Sequence, residues 1–230
     1  MFKQRKLSEA LKAVEEEQAL QKTAGHYPLV ILYMLGIKAQ VQLLQKEVPG
    51  AQETLRVAKE ITLHQKHIYP YFISNFLIAQ FLYDLCSLEA AAQFLQRPAF
   101  TACRKRAAQS GRAALKNAMK YSADKTEVFR WMGVFCWLCG KHKKAQDWWE
   151  KSIRIGKELR ARPELGRTYL EVGKRLSENG SRVKDLNGLT AGGCFLKARS
   201  LFEELGLEGD LEELKEIEKT GDAWSGVFSH

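Results

Sequence analysis

Apolar residues recur at i, i+3, i+4 and i+7 along nearly the whole chain, and no stretch of useful length alternates apolar and polar as a strand would. The pattern predicts an all-α protein of about nine or ten helices. The first covers about 4–23, with Leu7, Leu11, Val14 and Leu20 on one side and Glu15, Glu16 and Glu17 on the other. The second, about 27–47, is apolar over most of its length and therefore belongs near the centre. Val48, Pro49 and Gly50 then stop it, Pro-Gly being a turn signal. Helices follow over about 51–66 and, opening on Pro70, over 70–85. A short helix at 88–96 breaks ahead of Pro98, because the residue before a proline is pushed out of the α region. The remaining helices are expected at about 100–121, 126–139, 142–160, 163–178, 191–205 and 209–219, the last of them acidic.

Within this pattern two stretches superimpose at an offset of 33 residues. Gly133, Cys136, Gly140, Ala145 and Trp149 form one, and Gly166, Tyr169 and Gly173 begin the other. That period is one helix-turn-helix unit of a solenoid. The first glycine lets paired helices approach closely, and the second breaks the helix so that the chain can reverse. After Gly173 the pattern is interrupted, and Ala191, Phe195 and Ala198 resume it. The extra dozen or so residues, about 178–190, have the composition of an exposed loop, either a tolerated surface insertion or a partner-contacting segment. Residues 1–230 read as one domain, with its clearest repeats at 126–159 and 160–205.

These positions resemble the tetratricopeptide repeat. Gly133, Cys136, Gly140, Ala145, Trp149 and Ser152 follow its small, large, Gly, Ala, aromatic, small order, although Cys136 stands where tyrosine is usual. Ala79, Leu82, Cys86 and Ala91 give a weaker, earlier unit. The resemblance implies a right-handed superhelical solenoid of antiparallel helix pairs, in which the first helix of each pair lines a concave groove for a protein or peptide. Its groove positions fall on Phe76, Gln80, Tyr83 and Asp84, on Arg130 and Trp137, and on Arg167, Leu170 and Glu171. Aromatics and arginines are enriched in interface hot spots; Phe76 and Trp137 are equally placed to pack between hairpins. The family's carboxylate clamp for chaperone tails is disfavoured, because Arg130, Val134, Pro163 and Arg167 stand where it needs lysine and asparagine. Residues 144–153, 162–169 and 198–207 also resemble the C-terminal helical repeats of large bacterial signalling proteins. That implies a scaffold or sensor segment of a longer polypeptide.

Charge adds a second theme. The chain carries a formal net charge of +9, laid out unevenly. Arg104, Lys105, Arg106, Arg112, Lys116 and Lys120 lie in 101–120 without an acid, whereas 203–218 holds eight acids against one lysine. The basic helix permits nucleic-acid binding, but no aromatic is interleaved for base stacking, so this is disfavoured. Opposite charge at the two ends permits self-association into a homo-oligomer.

Chemistry is scarce. The five cysteines are odd in number and lack the spacing of a disulfide framework, so they read as reduced thiols. Cys136 and Cys139 form a CxxC with His142 nearby, but no second pair completes a structural zinc shell, and packing is the simpler role. His64 and His67 likewise lack partners for a metal site. No phosphate loop, GxSxG or HExxH is present, and a non-catalytic protein without metal or cofactor is expected. No signal-like segment opens the chain, and the run at 27–37 is too short to cross a bilayer, which points to the cytoplasm and away from a membrane partner.

Overall fold

The computed structural model describes residues 8–14, 16, 27–93, 97–178 and 181–225, with side chains up to Lys219. Of the first expected helix, residues 8–14 and 16 are helical, with Ala10 and Val14 buried; the rest lies outside the described residues. Among the described residues nine α-helices follow: α1 Pro28–Leu44, α2 Val48–His64, α3 Pro70–Gln93, α4 Arg97–Ala118, α5 Lys125–Leu138, α6 His142–Glu158, α7 Arg162–Leu176, α8 Ala191–Leu205 and α9 Glu208–Ser225. They pack as sequential antiparallel pairs, α1 with α2, α3 with α4, α5 with α6, and α7 with α8. The first helices of the pairs also pack on one another in order, α1 on α3, α3 on α5 and α5 on α7, and α9 closes the row. The expected all-α array of helix pairs is therefore what the chain adopts.

Three boundaries differ from expectation. Val48, Pro49 and Gly50 form the first turn of α2 rather than a stop, since proline at the start of a helix loses no hydrogen bond. The reversal sits one step earlier, at Lys46. The segment expected to divide near residue 86 is a single helix, α3, of 24 residues, and Pro98 stands in the first turn of α4. The predicted break ahead of Pro98 falls on 94–96, outside the described residues.

Four helices end in the same way. Lys46, Gly140, Arg160 and Gly206 have φ between +52° and +70°, and the next amide reaches back to the helix: Glu47 to Gln42, Lys141 to Cys136, Ala161 to Gly156 and Leu207 to Phe202, at 2.8–2.9 Å. This closure satisfies carbonyls that a helix end leaves open and reverses the chain within three residues. Gly140 plays the part assigned to it. Gly173 does not, because α7 continues past it to Leu176.

The core is a relay of clusters, each sharing a helix with the next. Leu32, Leu55 and Phe76 join α1, α2 and α3; Phe81, Ala107 and Val128 join α3, α4 and α5; Trp149, Val172 and Cys194 join α5 through α8; Tyr169, Phe202 and Leu214 join α7, α8 and α9. Although α3 is long and apolar enough by composition to match a membrane span, its apolar side chains Phe76, Ile78, Phe81, Leu85 and Leu88 are buried in this packing.

Close approach of helices uses glycine as the repeat spacing requires. A Cβ at Gly133 would lie 2.2 Å from Nε1 of Trp149, and one at Gly166 would lie 2.6 Å from the Phe202 ring. The second pairing corrects the expected register, since Phe202 rather than Phe195 is the counterpart of Trp149, and Ala198 rather than Ala191 that of Ala145. Ala145, Trp149, Ala198 and Phe202 are all fully buried. The two alignments differ by seven residues, close to two helical turns, so both present an apolar face in the same direction.

The inserted segment is also more ordered than a plain surface loop. Asp185 and Leu186 pair antiparallel with Leu189 and Thr190 around a turn at Asn187 (φ 52°) and Gly188 (φ 78°). Successive positive φ values suit a two-residue hairpin, and Asn-Gly is its preferred sequence. Leu186 is buried in the core, and Gln146 of α6 donates to the Asp185 carbonyl at 3.1 Å.

Candidate functional site: the concave cleft

The row α1, α3, α5, α7, α9 lines a cleft of about 250 Å³. Its apolar wall includes Leu82 and Leu85 from α3, Val134 from α5 and Leu170 from α7. Arg130, Arg167, Glu171, Lys174, Arg175, Glu89 and Glu213 supply charge around it.

Those charges are joined in a ladder along the helices. Arg130 donates to Glu164 at 2.7 Å and lies 3.6 Å from Glu127. Glu164 in turn accepts from Arg167 at 2.7 Å, and Arg167 forks onto both carboxylate oxygens of Asp210 at 2.8 Å. Burial alone would weaken the protonation of Arg167, but Glu164 and Asp210 outweigh it and hold its pKa above the ordinary arginine value. Such charges are tolerated inside a protein because each is both paired and hydrogen-bonded.

A second branch crosses the cleft. Arg175 donates to Glu171 at 2.8 Å, to Glu178 at 2.8 Å and to Glu89 of α3 at 2.6 Å. Lys174 lies between Glu171 and Glu213, at 3.6 and 3.5 Å. The Arg175–Glu89 bridge passes over α5 and joins helices two pairs apart. α7 is thereby buried around almost its entire circumference despite carrying Glu164, Arg167, Glu171 and Arg175.

Burial by itself would raise the Glu171 pKa, but the charges of Lys174 and Arg175 and the Arg175 hydrogen bond bring it down from 4.5 to about 2. A carboxylate depressed on folding contributes stability that is fully present above its unfolded value and is lost as pH falls through the folded one. Unfolding free energy from urea titrations should therefore hold from neutrality to about pH 5 and fall between about 4.5 and 2, and Glu171→Gln should flatten that limb.

Four of the groove residues expected from sequence, Arg130, Arg167, Leu170 and Glu171, meet at this cleft. The others lie elsewhere. Phe76, Gln80 and Asp84 line a separate depression between α2, α3 and α4, with Phe76 and Asp84 themselves buried. Burial raises the pKa of Asp84. Tyr83 packs against the first core cluster. Trp137 is core: its ring lies against His142 and Trp149, and its Nε1 donates to Glu178 at 2.7 Å. On both α3 and α7 the cleft stripe runs further toward the C-terminal end than the repeat positions indicate: 82, 85, 86 and 89, and 167, 170, 171, 174 and 175. Glu89, Lys174 and Arg175 were missed for that reason, and Trp131 because it stands beside a repeat groove position on α5 rather than on one. The i, i+3, i+4, i+7 spacing on α3 was the available signal.

Cys136 is buried beside Trp137, and burial raises its thiol pKa, as it does for Cys139. All five cysteines are free thiols. Among the described residues no three metal-ligating side chains come together. Arg104, Lys105, Arg106, Arg112 and Lys116 on α4, and Lys120 just past its end, are all exposed, and none lines the cleft. Arg106 lies 3.7 Å from Asp84.

The crystal structure of BtubC (BKLC) from P. vanneervenii is similar to this chain at 12% sequence identity and a TM-score of 0.49, covering 96% of this chain and 92% of that one. No family model and no curated protein matches the chain.

Proposed function

We propose that this chain is a non-catalytic protein-interaction module whose concave cleft receives an apolar side chain of a partner segment, with flanking charges set against the ladder. The observation that supports this reading is the cleft itself: Leu82, Leu85, Val134 and Leu170 form an apolar wall between fixed cations and carboxylates contributed by successive helix pairs. Interfaces of this composition, an apolar centre within a charged rim, are common among protein partners. A scaffold or regulatory role within a larger signalling polypeptide follows from the resemblance of 144–153, 162–169 and 198–207 to the repeats of such proteins. Free cysteines accord with a cytoplasmic setting, where thiols stay reduced.

The test is affinity capture with the wild type and three variants, each checked for an unchanged thermal transition. Leu82→Glu, which places a charge on the cleft wall, should lose the partners retained by the wild type and by Lys151→Glu on α6. Capture indifferent to Leu82→Glu would overturn the reading. So would capture that is nuclease-sensitive and abolished by Arg104→Glu/Lys105→Glu, the result a nucleic-acid partner would give.

A further inference from the structure

Apart from the concave cleft, the inserted hairpin, α6 and α8 border a larger, open cavity of about 640 Å³, to which α7 contributes Tyr169. That volume lies within the range of small-molecule sites. Ile153, Leu186 and Leu189 supply apolar surface. Lys157 of α6 and Lys197 of α8 face the cavity, and neither makes an ion pair among the described residues. Arg154 also lines it but lies 3.9 Å from Glu158, and Glu150 is the remaining acid.

Tyr169 is the second, independent observation. It is 5% exposed, it lines this cavity, and its hydroxyl makes no hydrogen bond with any described residue. The ring is buried but the hydroxyl oxygen is not, so it stays open to the cavity, where a ligand acceptor can reach it. Lys197 Nζ sits 5.7 Å from the centroid of its ring, so the lysine head is held over the tyrosine. The hairpin wall is fixed in place, since Leu186 is anchored in the core, Gln146 holds the Asp185 carbonyl, and Asp185 accepts from the Gly188 amide at 2.8 Å. The site is therefore formed before any ligand arrives.

We propose that this cavity binds a small organic anion: a compact anionic group is received by Lys157 and Lys197, a ligand acceptor takes the Tyr169 hydroxyl proton in a hydrogen bond, and an apolar or aromatic body lies against Ile153 and Leu189. Carboxylate and phosphate share the required chemistry. Two cations from different helices, with a neutral donor between apolar walls, discriminate against uncharged apolar molecules as well as against inorganic ions lacking a body.

The experiment is a titration of the ¹⁵N-labelled full chain with 2-naphthoate, with 2-naphthyl phosphate and with uncharged 2-naphthylmethanol. One or both anions should give saturable shifts at the amides of Gly188, Leu189 and Lys197, and whichever does so identifies the head group. Lys157→Ala/Lys197→Ala should weaken that binding about tenfold or more. Tyr169→Phe, which keeps the ring, should weaken it by about threefold to tenfold. The lysines are exposed, so their removal leaves the fold in place. Absence of saturable shifts with both anions, equal shifts with 2-naphthylmethanol, or an affinity unchanged by the double substitution would overturn the proposal. Its failure leaves the concave cleft untouched, because none of these residues lines it.

Discussion

Arg167→Ala should destabilise the protein by about 3–5 kcal/mol, the cost of removing one partner from a buried ionic network. The guanidinium holds Glu164 with one nitrogen and Asp210 with two, and all three residues are at least nine-tenths buried. Truncation leaves the Asp210 carboxylate, which has no exposed surface, without its bidentate partner. Glu164 retains Arg130. The loss should fall first on α9, because Asp210 is the group through which the start of that helix engages α7. Hydrogen exchange should show α9 opening ahead of the rest. Replacing both partners, as Arg167→Met/Asp210→Leu, should recover most of the stability, since an apolar pair of similar volume removes the desolvation cost together with the attraction. Chemical denaturation of the two variants beside the wild type decides the matter: equal losses for the single and double variants would show that packing, and not charge, sets the contribution of this site.

Trp149→Ala should cost about 3–5 kcal/mol, as expected for a buried large aromatic. The indole has no exposed surface, lies against Trp137 at a centroid distance of 5.5 Å, and donates from Nε1 to the Arg130 carbonyl at 3.2 Å. It occupies the space that Gly133 leaves open. Gly133→Ala alone should therefore destabilise by about 1–3 kcal/mol through overpacking, because its new Cβ would stand 2.2 Å from Nε1 and 2.4 Å from Cδ1. In the Trp149→Ala background the sign should reverse. There the clash is gone, and the gain of about 1 kcal/mol from replacing a helical glycine by alanine remains. A double-mutant cycle with no coupling between the two positions would refute the proposed fit.

The helix pairs were legible because their determinants are local. The spacing of Gly133, Gly140, Ala145 and Trp149 fixes a contact inside one hairpin, and that contact is present. The register of α8 was misread because Phe195 and Phe202 stand seven residues apart, and periodicity alone cannot distinguish positions separated by nearly two whole turns. Length could have helped: Ala191 opens α8, whereas Ala145, its supposed equivalent, lies one turn inside α6. The inserted segment was read as an exposed loop; Asn187-Gly188 was the available hairpin signal, whereas the anchoring role of Leu186 depends on a core built from helices distant in sequence.

The cleft was legible only in part for a related reason. Arg130, Arg167, Leu170 and Glu171 were found because they follow the repeat. Glu89 and Arg175 stand 86 residues apart and meet only through the packing of successive helix pairs, which no single helix encodes. Trp137 shows where the pattern leaves two readings open, since a tryptophan at a groove position also satisfies every requirement of a core residue; here its ring packs on Trp149 and its Nε1 donates to Glu178.

The bridge from Arg175 to Glu89 has a thermodynamic consequence for the array. Where every repeat touches only its neighbours, an array can lose its terminal units one at a time, and its stability is a sum of adjacent terms. A bond that skips a unit adds a term which neither end can lose without disturbing the other, and it penalises states in which only the middle pair remains folded. Fraying of the span between them is thereby opposed, and α3 through α7 should melt as one block, whereas the helices outside that span can still open separately.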